Sequence, residues 1–490
     1  MSTRPRFVTD EEILEELERQ NREEEDIPFN LDSEIDDSEE DGSDGEERSD
    51  HDTHTDQSAS DNEPEIVQER EPNYFFSKNK AIRWNSEPLR ASSRTTKINI
   101  IKNLPGVRQK FQDTENELAA FSIFFNDEII NLLVENTNTY IELARLRYKR
   151  YQDCRKTDSD EIRGVIGLLI LTGMYRGAHT NLKDFWDRDG PVVFSLAMTF
   201  QRFCFILRFL RFDNKEDRKR REEEDKLAAV RELITILGKK FQEVYCPSEY
   251  LTIDEQLIPF RGRCGFRQYL PNKPKSYGIK VFALVDARTF YLCKFEIYAG
   301  QQRDGPFKNS NSPSDVVLRL VEPVSNSGRN ITTDNWYTSY ALAEKLLAMN
   351  LTLVGTLRKN KPEIPNAFLA NKTREANSYL FGFTEKIAMV SYVPKKSRAV
   401  ILLSTMHSDK SIDSETGNKN KPEIITFYNA TKGGVDTNDQ LCSNYSVGRK
   451  TNRWPLAIFY HLLNVSGINA YITYKNNAQR KNINFKMDRR

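Results

Sequence analysis

The sequence predicts a mixed α/β protein, and three patterns carry that prediction. Apolar residues recur at helical spacing between about residues 113 and 247, then switch at Glu249 to the alternation of strands. After the switch the order reads three strands, helix, strand, helix, strand. Charge is also divided along the chain. Asp10 to Glu71 holds 28 Asp and Glu against 4 Arg, a net −24, and residues 1–9 add +2, so the formal zero of the whole leaves +22 on Pro72 to Arg490.

Residues 1–112 read as a disordered acidic N-terminal region and a basic linker, the latter over Lys78–Lys102. Ser38, Ser43 and Ser49 lie beside acids and are candidates for acid-directed phosphorylation. Residues 113–248 form a helical domain. Asp113-Thr-Glu-Asn-Glu supplies capping chemistry for a helix through Leu118, Phe121, Ile123, Phe124, Ile129, Ile130 and Leu133; Thr139–Arg150, Asp158–Met174, Met198–Phe209 and Glu222–Tyr245 follow. Tyr250–Ile258, Gly278–Val285 and Phe290–Tyr298 are the three opening strands, in the order of an antiparallel meander. Asp315–Val321 is helical behind Ser312-Pro-Ser, Asn330–Thr333 a strand, Tyr340–Ala348 a helix and Leu351–Leu357 a fifth strand, an alternation that calls for parallel pairing. Together they describe a ribonuclease H-like mixed-sheet catalytic core over 249–358. Residues 359–425 carry strand pieces at Ile387–Val393 and Ala399–Ser404 between polar turns, a β-rich insertion domain. The core resumes over 426–446, and residues 447–490 return to helix through Leu456–Tyr474.

A length of 490 residues fits two or three domains, and a body carrying +22 suits a polyanionic partner, nucleic acid above all. The six cysteines show no CxxC pair and no regular spacing, which predicts buried thiols in a reducing compartment. The N-terminus has no apolar leader, and the longest apolar run, Val165–Met174, is too short to span a bilayer. His179, His407 and His461 have no partner at ligand spacing, and nucleophile-elbow, Walker and dinucleotide motifs are lacking.

Three aspartates sit at strand or helix ends of the predicted sheet: Asp254 in LTIDEQ, Asp334 closing NITTD, and Asp436 in KGGVDTNDQ behind a Gly-Gly hinge. Phosphoryl transfer on DNA needs carboxylates that hold two Mg²⁺ (or Mn²⁺) ions roughly 3.5–4 Å apart, one at the nucleophile and one at the leaving oxygen. Strands one and four are neighbours in a ribonuclease H-like sheet, so Asp254 and Asp334 can meet, and a later helix can bring Asp436. Each has a plainer reading. Asp254 is a solvated strand residue in that reading, and Asp334 and Asp436 cap the helices that follow them.

At these residues the sequence resembles the piggyBac transposase family, a resemblance that covers about residues 115–475. TIDEQLIPFRGRCGFRQYLPNKPKSYGIK (Thr252–Lys280), NITTDNWYTSYALAEKLL (Asn330–Leu347) and KGGVDTNDQLCSNYSVGRKTNRWPLAIFY (Lys432–Tyr460) are similar to its three catalytic segments. TNTY (Thr137–Tyr140), EIRGVIGLLILTGMYRG (Glu161–Gly177) and RFCFILRFLRFDN (Arg202–Asn214) agree in the helical part. The resemblance implies a catalytic triad of Asp254, Asp334 and Asp436, with Asp439 as a further metal-side Asp. It also implies a homodimer acting in the nucleus on transposon inverted-repeat ends, hairpin formation during cutting, seamless excision and TTAA target sites. The helical block and residues 447–490 together correspond to the family's dimerisation and DNA-binding domain. No cysteine follows Cys442, so no zinc is expected, unlike the family's cysteine-rich terminal module. That departure keeps open a domesticated or truncated DNA-binding or chromatin protein without cutting activity, its acidic N-terminal tail recruiting basic chromatin partners.

Basic residues flank these motifs. Arg358 and Lys361 follow the fifth strand at the active-site edge, placed to hold phosphates. Arg449, Lys450 and Arg453 crowd after the third Asp, beside Trp454, which either stacks on an unpaired base or packs in the core. Arg261, Arg263 and Arg267 alternate as a basic strand, and Arg218–Lys226 (RKRREEEDK) reads as a nuclear signal or as a charged helix with paired faces.

Overall fold

The computed structural model describes residues 47–48, 57–58, 73–89, 100–101, 103–148, 150–177, 180–270 and 276–483. Most of the acidic region, with Ser38, Ser43 and Ser49, lies outside the described residues, as do His179 and residues 484–490. Among the described residues no helix is long and apolar enough to cross a membrane.

The expected linker contains a folded hairpin. Strands β1 (Tyr74–Phe76) and β2 (Arg83–Asn85) pair antiparallel, with Phe75 opposite Trp84. Trp84 is fully buried, and its indole N–H donates to the Glu363 carbonyl at 3.0 Å. The basic, Ser-rich composition hid this; three consecutive aromatics and a tryptophan that finds both a cavity and an acceptor decide it.

Seven helices of the 113–248 block follow: α1 (Glu117–Phe124), α2 (Asp127–Ala144), α3 (Ser159–Met174), α4 (Val192–Ala197), α5 (Phe200–Phe209), α6 (Lys215–Glu222) and α7 (Arg231–Val244). Side chains of Asn116, Asn126, Asp158, Thr199 and Asn214 accept backbone N–H bonds at five of the starts and so fix the breaks between helices. The expected helix over Glu222–Tyr245 begins later, at Arg231, and Glu222 instead closes the separate helix α6. Buried Asp213 takes both Arg218 and Arg221, and buried Asp225 takes Arg231, so the chain turns between the two carboxylates.

The sheet strands are β3 (Tyr250–Pro259), β4 (Arg267–Tyr269), β5 (Tyr277–Asp286), β6 (Leu292–Ile297), β7 (Asn330–Thr333), β8 (Thr352–Thr356), β9 (Tyr379–Phe383), β10 (Ala388–Lys395) and β11 (Arg398–Ser404). Helices α8 (Pro313–Val321) and α9 (Tyr340–Ala348) join β6 to β7 and β7 to β8. The core order is β6-β5-β3-β7-β8, with β3, β5 and β6 antiparallel and β3, β7 and β8 parallel. That is the ribonuclease H-like arrangement of the sequence reading. Strand β4, too short for an alternation signal, shares the outer edge of β5 with β6.

Residues 359–425 are β-rich as expected, yet they extend the core sheet rather than leave it. Strand β11 pairs antiparallel with β8, and β10, β9, β2 and β1 continue from it. The chain then returns through α10 (Glu423–Thr431), α11 (Gly434–Asn444) and α12 (Trp454–Arg480). Helix α12 packs on α1, α7 and β3, buried along much of its length. It is fixed to the sheet by Asn469, which both accepts from the Leu292 N–H and donates to the Leu292 carbonyl at 3.0 Å, at the irregular start of β6.

Candidate active site

Alternation along β3 sorts its polar residues to two faces. Thr252, Asp254 and Gln256 look toward α10 and α11, while Glu255 looks to the other side. Thr252 donates its hydroxyl to the Thr431 carbonyl at 2.6 Å, and Gln256 donates its side-chain N–H to Asn438 at 2.8 Å. Asp254 lies between these anchors on the strand, and Asp436 lies between them on the helix. The Gly-Gly pair works by size rather than as a hinge. Gly433 has an ordinary φ of −80°, and a Cβ on Gly434 would stand 2.6 Å from the Thr252 hydroxyl oxygen. Without a side chain at 434, α11 can sit directly on β3.

Asp334 follows the last residue of β7. Parallel register sets Thr332 beside Thr252 and Thr333 beside Ile253, so Asp334 emerges next to Asp254. Thr332 also shares a 2.8 Å hydroxyl contact with Thr431, so one threonine at the end of α10 ties down both Asp-bearing strands. The capping readings of both aspartates give way. Ser339 caps α9, and α11 starts without a side-chain cap, with Asp436 in its first turn, where the helix dipole favours a negative charge. Asp334 instead accepts the Trp336 and Tyr337 N–H groups at 3.0 and 3.4 Å, a turn that aims its carboxylate.

The phenol of Tyr428 senses all three aspartates. Burial first, then the charges of Asp334, Asp254 and Asp436, push its proton affinity above the usual phenol range. Asp254 and Asp334 are half-buried, Asp436 is exposed, and Asp439 stands three residues along the same helix. Among the described residues no three Asp, Glu, His or Cys side chains close into a ready-made metal cage. An all-oxygen carboxylate set of this kind fits Mg²⁺ or Mn²⁺, ions that keep several waters and complete their shell from substrate phosphates.

The basic candidates divide. Arg358 donates to the Asn335 side chain at 3.1 Å, one residue from Asp334, and Lys361 closes the same loop through its N–H to the Arg358 carbonyl. Lys78 of the N-terminal hairpin donates to the carbonyls of Lys359 and Lys361 and so braces that loop. Lys450 is exposed. Arg449, Arg453 and Trp454 depart from the phosphate and base-stacking roles. Arg449 donates to the carbonyls of Gly177 and Thr180 beside the Phe185 ring. Arg453 donates to the carbonyls of Leu207, Arg208 and Leu210, the open end of α5. Trp454 is 6% exposed and meets Phe266 edge-on at 5.1 Å, the core-packing reading. A guanidinium is a sound clamp for unpaired carbonyls, and sequence alone does not distinguish those from phosphates.

Arg218 and Arg221 are spent on Asp213, which lies outside their run, and the helix ends at Glu222, so the run does not form one charged helix with paired faces. All six cysteines are free thiols. His461 is buried and His407 half-buried, and desolvation lowers each to about 4 and keeps both neutral at pH 7. Sequence reasoning passed over Glu255, Lys280 and Tyr337, all buried behind the aspartates. The signal available for Glu255 was a second acid directly after Asp254 in a strand.

A family model described as Transposase IS4 matches residues 116–471. Human PiggyBac transposable element-derived protein 3 is 25% identical over 378 residues, covering 72% of this chain and 60% of that protein. Human PiggyBac transposable element-derived protein 2 is 24% identical over 372 residues, with the same coverage of 72% and 60%. The chain therefore spans about 60% of the length of these curated relatives. Among solved structures, the cryo-EM structure of a piggyBac transposase synaptic complex with hairpin DNA matches with a TM-score of 0.74 and 38% identity, covering 79% of this chain and 80% of that one.

Proposed function

The chain belongs to the Transposase IS4 family, of piggyBac type, and on that premise we propose that it is a cut-and-paste DNA transposase. In this reading Asp254, Asp334 and Asp436 hold two divalent metal ions, Mg²⁺ or Mn²⁺, with Asp439 as an added oxygen donor. Bound there, the cations supply charge for the attacking and leaving oxygens of an in-line displacement. The chain's own share is placement. Parallel pairing of β3 with β7 fixes two carboxylates relative to each other, and the α10–α11 junction brings the third.

The observation that carries the reading is the double anchor of Thr252 on Thr431 and Gln256 on Asn438, with an aspartate between the anchors on each element. Arg358, Lys361 and Lys450 hold DNA phosphates along the edge of this site. The DNA of the matched synaptic complex is the partner class proposed for this chain, as transposon ends and a TTAA target. A homodimer, a nuclear location and capture of basic chromatin partners by the acidic N-terminal tail belong to the same proposal.

The test is a supercoiled donor carrying the element's inverted repeats, incubated with the full chain and Mg²⁺. Strand cleavage that disappears in Asp254→Asn, Asp334→Asn and Asp436→Asn supports the reading. Tight, sequence-selective binding with no cleavage in Mg²⁺ or Mn²⁺ overturns it in favour of a domesticated DNA-binding protein.

A further inference from the structure

Behind the aspartates, on the opposite face of β3, lies a buried polar cluster that the proposed chemistry does not use. Glu255 is 1% exposed and directly follows Asp254. The Tyr337 hydroxyl, itself fully enclosed, donates to Glu255 Oε2 at 3.4 Å. Lys280, across on β5, is 4% exposed and sits among three rings, with its Nζ 5.3 Å from the centre of Trp336, 5.4 Å from Phe282 and 6.0 Å from Tyr298. Burial lowers the proton affinity of Lys280, while Glu255 first, then Asp254 and Asp334, pull it back up.

Trp336 and Tyr337 are the two residues whose backbone N–H groups orient Asp334. Both are pinned on this rear face. Trp336 stacks on Phe282 at 5.9 Å and 10°, and Tyr337 meets Trp336 edge-on at 4.6 Å. One path thus joins the two carboxylates through the rear of the sheet: Asp254 to its neighbour Glu255, across to the Tyr337 hydroxyl, and back through the turn to Asp334. Apolar residues of equal volume would fill the same space and need not lower stability, so packing alone gives no reason to bury a carboxylate and an ammonium here. A hydrogen bond adds direction, which two metal-facing carboxylates require.

We propose that Glu255 and Tyr337 are positioning residues that lock the Asp334 turn to strand β3 and so set the Asp254–Asp334 geometry, with Lys280 as the counter-charge that keeps Glu255 in place. The proposal rests on the metal-binding reading of the two aspartates.

The experiment uses terbium ion alone on the full chain, with emission excited through tryptophan. Trp336 stands two residues from Asp334, and the acidic segment from Asp10 to Glu71 contains no tryptophan to sensitise ions held there. Wild type is expected to show saturable emission that Asp254→Asn and Asp334→Asn abolish. Tyr337→Phe and Glu255→Gln are expected to weaken terbium binding by roughly 10-fold, the low end for outer-shell partners of a metal site. The Mg²⁺ concentration for half-maximal cleavage should rise in step, with near wild-type cleavage recovered at high Mg²⁺ and a melting temperature close to wild type. Should one variant fail to fold, the other decides. Terbium affinity and Mg²⁺ dependence unchanged in a folded variant overturn the positioning role and leave the cluster as core. Wild-type emission and cleavage in Asp254→Asn and Asp334→Asn would instead sink the metal-site reading, and the proposal with it.

Discussion

Gln256 on β3 donates to Asn438 on α11 at 2.8 Å, across 182 positions of sequence. Asn438 also donates to the Phe290 carbonyl at 2.8 Å, a residue held at a φ of +63°. Asn438→Ala therefore strands the buried Gln256 amide and the part-buried Phe290 carbonyl, at a cost of about 2–6 kcal/mol given roughly 1–3 kcal/mol for each. Urea unfolding should show this as a lower midpoint with an unchanged slope. Cleavage at low temperature, where the variant stays folded, should fall further still, because α11 carries Asp436.

Gly434→Ala should separate steric fit from backbone freedom. The added methyl meets the Thr252 hydroxyl, and overpacking of this kind costs about 1–3 kcal/mol and displaces α11. Gly433→Ala is the control, since the nearest atom to its new Cβ is 3.9 Å away. Equal cleavage by the two variants would contradict the close-approach account.

Lys450 and Arg453 lie three residues apart and should behave as opposites. Lys450→Ala should leave the melting temperature unchanged and reduce the slope of log binding constant against log salt by about 1, as expected for one lost phosphate contact. Arg453→Ala should lower the melting temperature by uncapping α5 and leave the salt slope alone. Binding isotherms between low and moderate salt, beside thermal melts, read both.

Stability should fall as the solution is acidified below pH 6.5. His407 and His461 are depressed to about 4 in the folded chain, while the unfolded chain protonates near 6.5, so neutrality of these rings favours folding above that range. Between pH 6.5 and 4 the unfolded state binds the extra proton, and each histidine costs about 1.4 kcal/mol per pH unit. His461→Gln should flatten that decline relative to wild type when denaturation midpoints are compared at pH 7, 6 and 5.

The strands of the core were legible because their signals are local. Asn330–Thr333 and Tyr340–Ala348 have the bounds read from periodicity, and Ser312 caps α8 as its Ser-Pro-Ser start suggests. Two of the three aspartates fall at element ends as read, Asp334 after β7 and Asp436 in the first turn of α11, whereas Asp254 sits midway along β3, because that strand runs on to Pro259. The roles of Arg449, Arg453 and Trp454 were not legible, since each is decided by remote carbonyls or rings: Gly177, Leu207 and Phe266. Glu255 escaped for the same reason. Its partners Tyr337 and Lys280 come from other strands and turns, and a buried acid reads in sequence like any surface one.

The hairpin at 73–89 bears on how the chain can be shortened. Asn85 pairs with Phe383, and its side chain donates to the Phe383 carbonyl 298 positions away, so this hairpin covers the Phe383 end of β9. Trimming the acidic tail as far as residue 90 would bare the backbone at that end of the strand, an edge open to pairing with another molecule. The same cut would remove Trp84 from the Glu363 carbonyl and Lys78 from the carbonyls of Lys359 and Lys361, so a version designed for solubility would be prone to clump. A boundary before Asn73 sheds the charge of Asp10–Glu71 and keeps the Asn85–Phe383 pairing, at the loss of the short pairings of Glu47–Arg48 with Gln268–Tyr269 and of Gln57–Ser58 with Arg398–Ala399.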